Sequence, residues 1–249
     1  MTVQEMHYDF KMKLNKVDSQ QYRNLLIPEI DWLLNEAQEI FIKSVAFPRV
    51  PNHLGFESSQ RTIDDIRTIV IENKLLVKDN QESSQDGVGY YGKQKVFTLP
   101  TDYLFYVSAK VRVTKPQCGT KDIQLKIRQH DDEFEKSPFD NSSFEWGEIN
   151  ATFDSKGLRV FSDGTFDVEN IKLNYIKEPA FIHNAADFRP TGSYKRFEGD
   201  VGLTGRQNCE LPNQTHKEIV DIAVMLASSN LDMQNFQIKQ AKLNLNQLN

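Results

Sequence analysis

The first third of the chain carries apolar residues at the spacing of an α-helix. The residues that share this spacing are Ile30, Leu33, Leu34, Ala37, Ile40 and Phe41. Such positions form one stripe along a helix, and the charged residues Asp31, Glu36, Glu39 and Lys43 fall off the stripe. Pro28 suits the first turn, and Pro48 predicts the end, because the residue before a proline avoids the α region. The pattern predicts an amphipathic helix with these charges on its polar side.

Two more helices are indicated on either side of this one. Asp18 and Ser19 are candidate N-caps upstream. Downstream, a helix that begins at Ser58 or Ser59 places an apolar set on one face: Ile63, Ile66 and Val70.

The C-terminal part also predicts a helix. It begins after Pro212 with Asn213 or Thr215 as the cap. Its apolar face consists of Ile219, Ile222, Ala223 and Leu226. A segment rich in Gln and Asn follows, residues 231–249, and its sparse apolar residues predict a tail that docks on a partner.

Between the helices the period changes to that of β-strands. Segments of alternating or β-branched and aromatic character are residues 75–77, 95–100, 103–113, 122–129, 148–153, 157–161 and 165–176. Asp163-Gly164 is a hairpin signal between the last two. We therefore expect an antiparallel β unit in the middle of the chain.

The segment from residue 178 to residue 208 has no periodicity. Glycines and prolines punctuate it: Pro179, Pro190, Gly192, Gly199, Gly202 and Gly205. Long ordered loops are uncommon and often functional. We interpret this segment as an extended arm that neighbouring subunits order.

These elements predict an α+β fold. N- and C-terminal helices pack together, because each has one apolar face that needs a partner, and a central antiparallel β-sheet unit and a long irregular arm complete it. The expected division is a helical segment 1–74, a β domain 75–178, an arm 179–210, and a C-terminal helix and tail 211–249.

Composition and charge narrow the function. Hydrophobic residues make up 39% and charged residues 26% of the 249-residue chain, as in ordinary globular proteins. The net charge of -5 disfavours nonspecific nucleic-acid binding. We see no secretory leader and no apolar run long enough to span a membrane, which predicts synthesis in a cytoplasm. Cys118 and Cys209 stand alone and are expected to be reduced thiols.

The sequence contains no recognisable catalytic motif. The glycines of residues 87–92 match neither phosphate-loop spacing and indicate a hairpin tip. The acidic cluster 130–135 could hold a metal, but a solvated charge run at a strand end is the favoured interpretation. The histidines lie in no nucleophile or metalloprotease motif, and they are His7, His53, His130, His183 and His216. We therefore expect no catalytic residues, no metal and no cofactor.

Aromatic side chains are numerous in the predicted sheet. They are Tyr90, Tyr91, Phe97, Tyr103, Phe105 and Tyr106. Aromatic residues can stack on bases, but without interleaved basic residues they are more typical of a sheet core and a subunit interface.

Five blocks in this order resemble a known family. They are residues 10–47, 95–113, 137–147, 157–179 and 209–228. Together they resemble the neck ring proteins, or adaptor-like head-to-tail connectors, of crAss-like podoviruses, over roughly residues 8 to 230. The resemblance implies a structural virion protein that forms a ring of twelve copies and passes double-stranded DNA without sequence-specific binding. It also implies binding to the portal and to other neck and tail proteins, with a portal-proximal ring as the expected place.

We expect ring closure to be heterologous, with one face of each subunit against a different face of the next. The arm 180–208 would reach a neighbour, and the tail 231–249 would dock on the ring above or below. Candidate interface residues in these two segments are Phe188, Tyr194, Phe197, Phe236, Ile238, Leu243 and Leu245.

Two alternatives remain open at this point. The sheet and its aromatic residues are compatible with a carbohydrate- or receptor-binding β module of a phage particle. The acids Asp131 and Asp132 are compatible with a metal-dependent hydrolase.

Overall fold

A computed structural model describes residues 1–15, 25–46, 64–78, 93–128, 142–155 and 157–231. The chain forms two compact units. One contains Met1–Ile69 and Pro179–Asn249, and the other contains Val70–Glu178. The predicted α+β fold class is confirmed.

Three helices of the first unit lie within the described residues, and they are α1 Val3–Asn15, α2 Ile27–Ala46 and α3 His216–Leu231. Helix α1 starts with a reciprocal cap, because the amide of Thr2 donates to Glu5 and the amide of Glu5 donates to the Thr2 hydroxyl. Helix α3 packs against both α1 and α2, and Lys13 of α1 bridges to Asp221 of α3 at 2.8 Å. The expected packing of the N- and C-terminal helices is therefore present.

The helix predicted to include Val70 ends earlier than expected. Residues 64–66 are helical, and a 3₁₀ helix, Arg67–Ile69, follows. Val70 opens a β-strand and pairs with Ile176, so its assignment to the helix was wrong. A β-branched residue fits a strand at least as well as a helix, and pairing with a distant strand decides between the two.

The second unit is an eight-stranded sheet. The strands are β1 Val70–Leu75, β2 Val77–Lys78, β3 Lys93–Thr98, β4 Tyr103–Lys115, β5 Gly119–Arg128, β6 Ile149–Asp154, β7 Gly157–Ser162 and β8 Asp167–Lys177. Their order across the sheet is β1-β8-β4-β5-β6-β7-β3-β2.

The two ends of this order are joined by the chain itself. Only Leu76 separates the last residue of β1 from the first residue of β2, and consecutive Cα atoms lie about 3.8 Å apart. The Leu76 amide donates to the carbonyl of Ile171 at 3.0 Å, and its side chain is buried. The sheet therefore curls until it closes on itself.

The sheet is mixed, although the sequence predicted an antiparallel one. Strands β5 and β6 run parallel, with Leu125 opposite Ile149. Parallel neighbours need a connection of a dozen or more residues, and the chain between Arg128 and Ile149 is long enough for one. The alternation of apolar residues predicts a strand but does not reveal its direction.

The hairpin predicted at Asp163-Gly164 was also wrong. The turn exists, because Gly164 has a φ of 84° and Asp163 accepts bonds from the amide and the hydroxyl of Thr165 at 2.8 Å. However, β7 pairs with β3 and β6, whereas β8 pairs with β1 and β4. The side chain of Phe166 is buried in the core. The turn therefore connects two strands that are not neighbours.

The interior of the closed sheet forms the core of this unit. Its fully buried members include Phe97, Val111, Ile149, Leu158 and Leu173. Gly157 is required at one tight point: its φ is 141°, and a Cβ there would lie 2.2 Å from the carbonyl oxygen of Phe97.

Candidate assembly interface

A polar stripe on helix α2 holds the arm. Asp31, Asn35 and Gln38 lie at i, i+4 and i+7 and therefore share one side of the helix. The side chain of Asn35 donates to the carbonyl of Ile182 at 2.7 Å and accepts from the Ile182 amide at 2.8 Å. Gln38 accepts a bond from the Cys209 thiol at 3.2 Å. This stripe replaces the bonds that the backbone of an irregular segment would otherwise make to water.

Asp31 is the centre of this arrangement. Its side chain is fully buried and accepts from Nε2 of His7 at 2.7 Å, from the hydroxyl of Tyr194 at 2.6 Å and from the amide of Asn184 at 3.1 Å. Burial and the Asp31 carboxylate raise the pKa of Tyr194, so the phenol stays protonated and donates. One carboxylate thus joins α1, α2 and two points of the arm.

The expectation that Asp31 lies on the solvated side of α2 was wrong. A buried carboxylate is costly unless donors surround it, and the arm and His7 supply those donors. A sequence signal existed in the i, i+4, i+7 spacing of Asp31, Asn35 and Gln38, but it indicates a solvated face equally well. Only the distant residues of the arm distinguish the two cases.

A second set of hydrogen bonds, centred on Asp187, connects the arm to the start of α1. Asp187 accepts from the side-chain amide of Gln4 at 2.9 Å, from Arg206 at 2.7 Å and from Asn184 at 2.9 Å. These donors lower the pKa of Asp187 to about 2. These bonds to Asp187 lie at the surface, so they add less stability than the buried contacts of Asp31.

The arm folds back on itself. It contains the 3₁₀ helix Ala185–Asp187 and two short strands, β9 Ser193–Tyr194 and β10 Leu203–Thr204. The two strands pair antiparallel. His183 and Gln207 exchange backbone bonds at 3.2 and 2.9 Å. These bonds lie within one chain, and the expected contact of this segment with neighbouring subunits stays a prediction.

The fold of the arm separates the predicted interface residues. Phe188 and Tyr194 are half-buried and pack edge to face at 5.7 Å between ring centroids. Phe197 is 61% exposed at the tip of the arm, and Val201 beside it is 83% exposed. Arg196 closes this tip by a bidentate contact with Asp200 at 2.6 and 3.2 Å. The other predicted residues, Phe236, Ile238, Leu243 and Leu245, lie outside the described residues.

Both tryptophans of the chain are exposed, Trp32 on α2 to 58% and Trp146 on the second unit to 85%. Ile40, which the helical stripe predicted to be buried, is 39% exposed. Large aromatic residues cost free energy in water and are enriched where proteins bind one another. Neither tryptophan was among the predicted interface residues.

Trp146 is presented by a rigid turn. Ser143 and Glu148 exchange backbone bonds at 2.7 and 3.2 Å on either side of it. Phe144 is buried in the core beneath the ammonium group of Lys121, which lies 4.5 Å from the ring centroid. The turn therefore fixes the backbone around Trp146, and the indole extends into solvent.

A comparison with protein families identifies the chain. The family model described as phage tail ring protein 3/4, of crAss-type phages, matches residues 1–237. The chain belongs to this family. It is therefore a structural ring protein of a phage tail and a component of the virion, as the resemblance implied. No curated protein matches the chain.

In a tail ring protein, exposed apolar residues are candidates for contacts between subunits. A ring protein needs at least two different contact faces, because heterologous contacts generate rings. In this family member, exposed apolar residues occur on α2, at the tip of the arm and on the closed sheet.

Residues 87–92 and 130–135, the predicted glycine-rich tip and acidic cluster, lie outside the described residues. Within the described part of the chain, no group of three or more His, Cys, Asp or Glu side chains is arranged to hold a metal ion. None of the helices in that part is long and apolar enough to cross a membrane.

Proposed function

We propose that this tail ring protein forms a ring in the phage neck, connects the portal to the tail and lines the DNA channel. The observation that carries the proposal is the family match over residues 1–237. The chain would act by geometry alone, without catalysis, cofactor or metal. Its partners would be further copies of itself, the portal, and other neck and tail proteins, after synthesis in the host cytoplasm.

Twelve copies per ring are proposed from the resemblance to neck connectors. The net charge of -5 supports a channel through which DNA passes without being held, because like charge repels the phosphate backbone. The chain would then contribute shape and spacing to the channel rather than sequence-specific contacts.

Two segments are proposed to reach neighbouring subunits. The tip of the arm carries the exposed Phe197 and Val201, and we place it against the next subunit. The tail 231–249, with Phe236, Ile238, Leu243 and Leu245, would dock on the ring above or below. Deleting the tail should then weaken the binding of the adjacent ring or portal while the subunit itself still folds.

Mass photometry of the purified chain, alone and mixed with the portal of the same phage, tests this function. A discrete species near twelve subunits, formed alone or only on the portal, is the expected result. A monomer that ignores the portal would contradict the proposal.

A β-rich carbohydrate- or receptor-binding module is the second candidate. The exposed Trp146 on its rigid turn favours it, because aromatic rings are common contacts in binding sites. Binding to a glycan array that is lost in Trp146→Ala would support this alternative over the ring function.

A further inference from the structure

A row of side chains crosses the outer face of the closed sheet and contains two lysines that face each other. Lys172 of β8 lies opposite Leu75 of β1 on one side and Lys110 of β4 on the other. Lys110 in turn lies opposite Gln124 of β5. Strands are spaced about 4.8 Å apart, so these four residues form a compact row. Leu75 is 57% exposed at one end of it.

Among the described residues, too few carboxylates lie near the lysines of this row to neutralise their charge. Like charges directly opposite each other destabilise a strand pair. Among the described residues, Lys172 has one carboxylate within reach, Asp122 at 3.7 Å. Arg112 already binds that carboxylate through two bonds at 2.8 and 3.1 Å. Among the described residues, Lys110 has no acidic partner. The row is therefore an exposed cationic surface with an apolar end.

Helix α2 carries an exposed stripe in which an acidic residue lies between two apolar residues. Trp32, Glu36 and Ile40 are spaced by four residues and follow one line on the exposed side of the helix. Trp32 is 58% and Ile40 39% exposed. Each step of four residues is about 6 Å along the axis, close to the spacing between strands. Among the described residues, Glu36 has no cationic partner.

We propose that the Trp32–Glu36–Ile40 stripe of one subunit docks on the Leu75–Lys172–Lys110 row of the next. This inference rests on the proposed ring and names the two faces that close it. The Glu36 carboxylate meets two lysines that repel each other, and the apolar side chains at its sides cover Leu75. The two surfaces are different faces of the chain with opposite charge, and a heterologous contact joins two different faces of identical chains.

Charge reversal tests this pairing. Lys110→Glu/Lys172→Glu and, separately, Glu36→Lys place like charges across the contact. Each should reduce the fraction of chain in rings at least about tenfold, because like-charge contacts suppress association. Combining all three changes in one chain should restore rings, since every contact then pairs a lysine at position 36 with glutamates in the row. Lys11→Glu/Lys217→Glu, two exposed lysines on α1 and α3, is the matched control and should leave assembly unchanged.

The fluorescence of Trp32 gives a second measurement. In a Trp146→Phe background Trp32 is the sole tryptophan, and its emission should shift to shorter wavelength when rings form. Circular dichroism of each variant before assembly shows that the subunit remains folded.

The outcomes separate this inference from the function on which it rests. Rings that form in the wild type and in all charge variants, with unchanged Trp32 emission, would overturn the pairing but leave the ring function intact. Loss of portal binding with intact rings would assign the row to another partner and also overturn the pairing. A wild-type chain that forms no ring, even with the portal, would overturn both.

Discussion

Replacing Tyr194 by Phe removes one of the three donors around the buried carboxylate of Asp31. The phenol donates to Asp31 at 2.6 Å, and the ring itself packs against Phe188. Phe keeps that packing, so the change isolates the hydrogen bond. A bond to a charged group contributes roughly 1.5–3 kcal/mol, and His7 and Asn184 still serve the carboxylate. We therefore expect Tyr194→Phe to cost about 2 kcal/mol.

Hydrogen exchange of individual amides measures this effect where it acts. The amides of Asn184, Ala186 and Gln207 are bonded within the arm or to Asp31. A cost of about 2 kcal/mol corresponds to roughly thirtyfold faster exchange of these amides if the arm opens locally. The Leu76 amide in the closed sheet should be unaffected, and it serves as the internal reference.

Tyr8→Phe is the matched control, because Tyr8 is 69% exposed and its loss of a hydroxyl should change stability by less than about 0.5 kcal/mol. Asp31→Ala is the stronger test, since it leaves several buried donors unpaired and should cost about 3–5 kcal/mol. Unchanged exchange of the arm amides in Tyr194→Phe would refute the role of Asp31 as the residue that holds the arm.

Three further predictions follow from the described contacts. Gly157→Ala should destabilise the closed sheet by about 3 kcal/mol in urea unfolding, because its Cβ would collide with Phe97, whereas Gly119→Ala, with open space around it, should cost about 1 kcal/mol. A thiol reagent should modify the exposed Cys118 in the folded protein, whereas Cys209, whose pKa burial raises to about 11, should react only on unfolding; fast labelling of both would contradict its burial. Burial, with Arg196 adding to it and Asp31 opposing it, lowers the pKa of His183, so stability should be full above the ordinary histidine pKa of about 6.5 and should fall as the pH drops below it. Thermal unfolding of the wild type and of His183→Gln between pH 7.5 and 5.5 measures this, and an equal loss in both would refute it.

The sequence predicted most of the elements because their signals are local. The helical stripe from Ile30 to Phe41 and the alternation in residues 122–129 reflect the faces that the elements bury. The pairing of β5 with β6 and the closure through Leu76 were not predictable in this way. They depend on which strands meet, and alternation is the same for parallel and antiparallel neighbours.

The candidate interface residues stay predictions. Phe197 is exposed, whereas Tyr194 donates a hydrogen bond to Asp31 of its own chain. An irregular segment gives no indication from sequence of whether its own chain or a neighbour binds it. The burial of Asp31 was not predicted, because a charged residue on a helix is usually solvated.

Cryo-electron microscopy of the phage particle would show whether this chain forms a ring in the neck. We expect a closed ring of this chain on the particle axis between portal and tail, with twelve subunits of 28.8 kDa, about 346 kDa in all, around an open channel. Density for the chain in a peripheral fibre, or as separate copies without a closed ring, would contradict it.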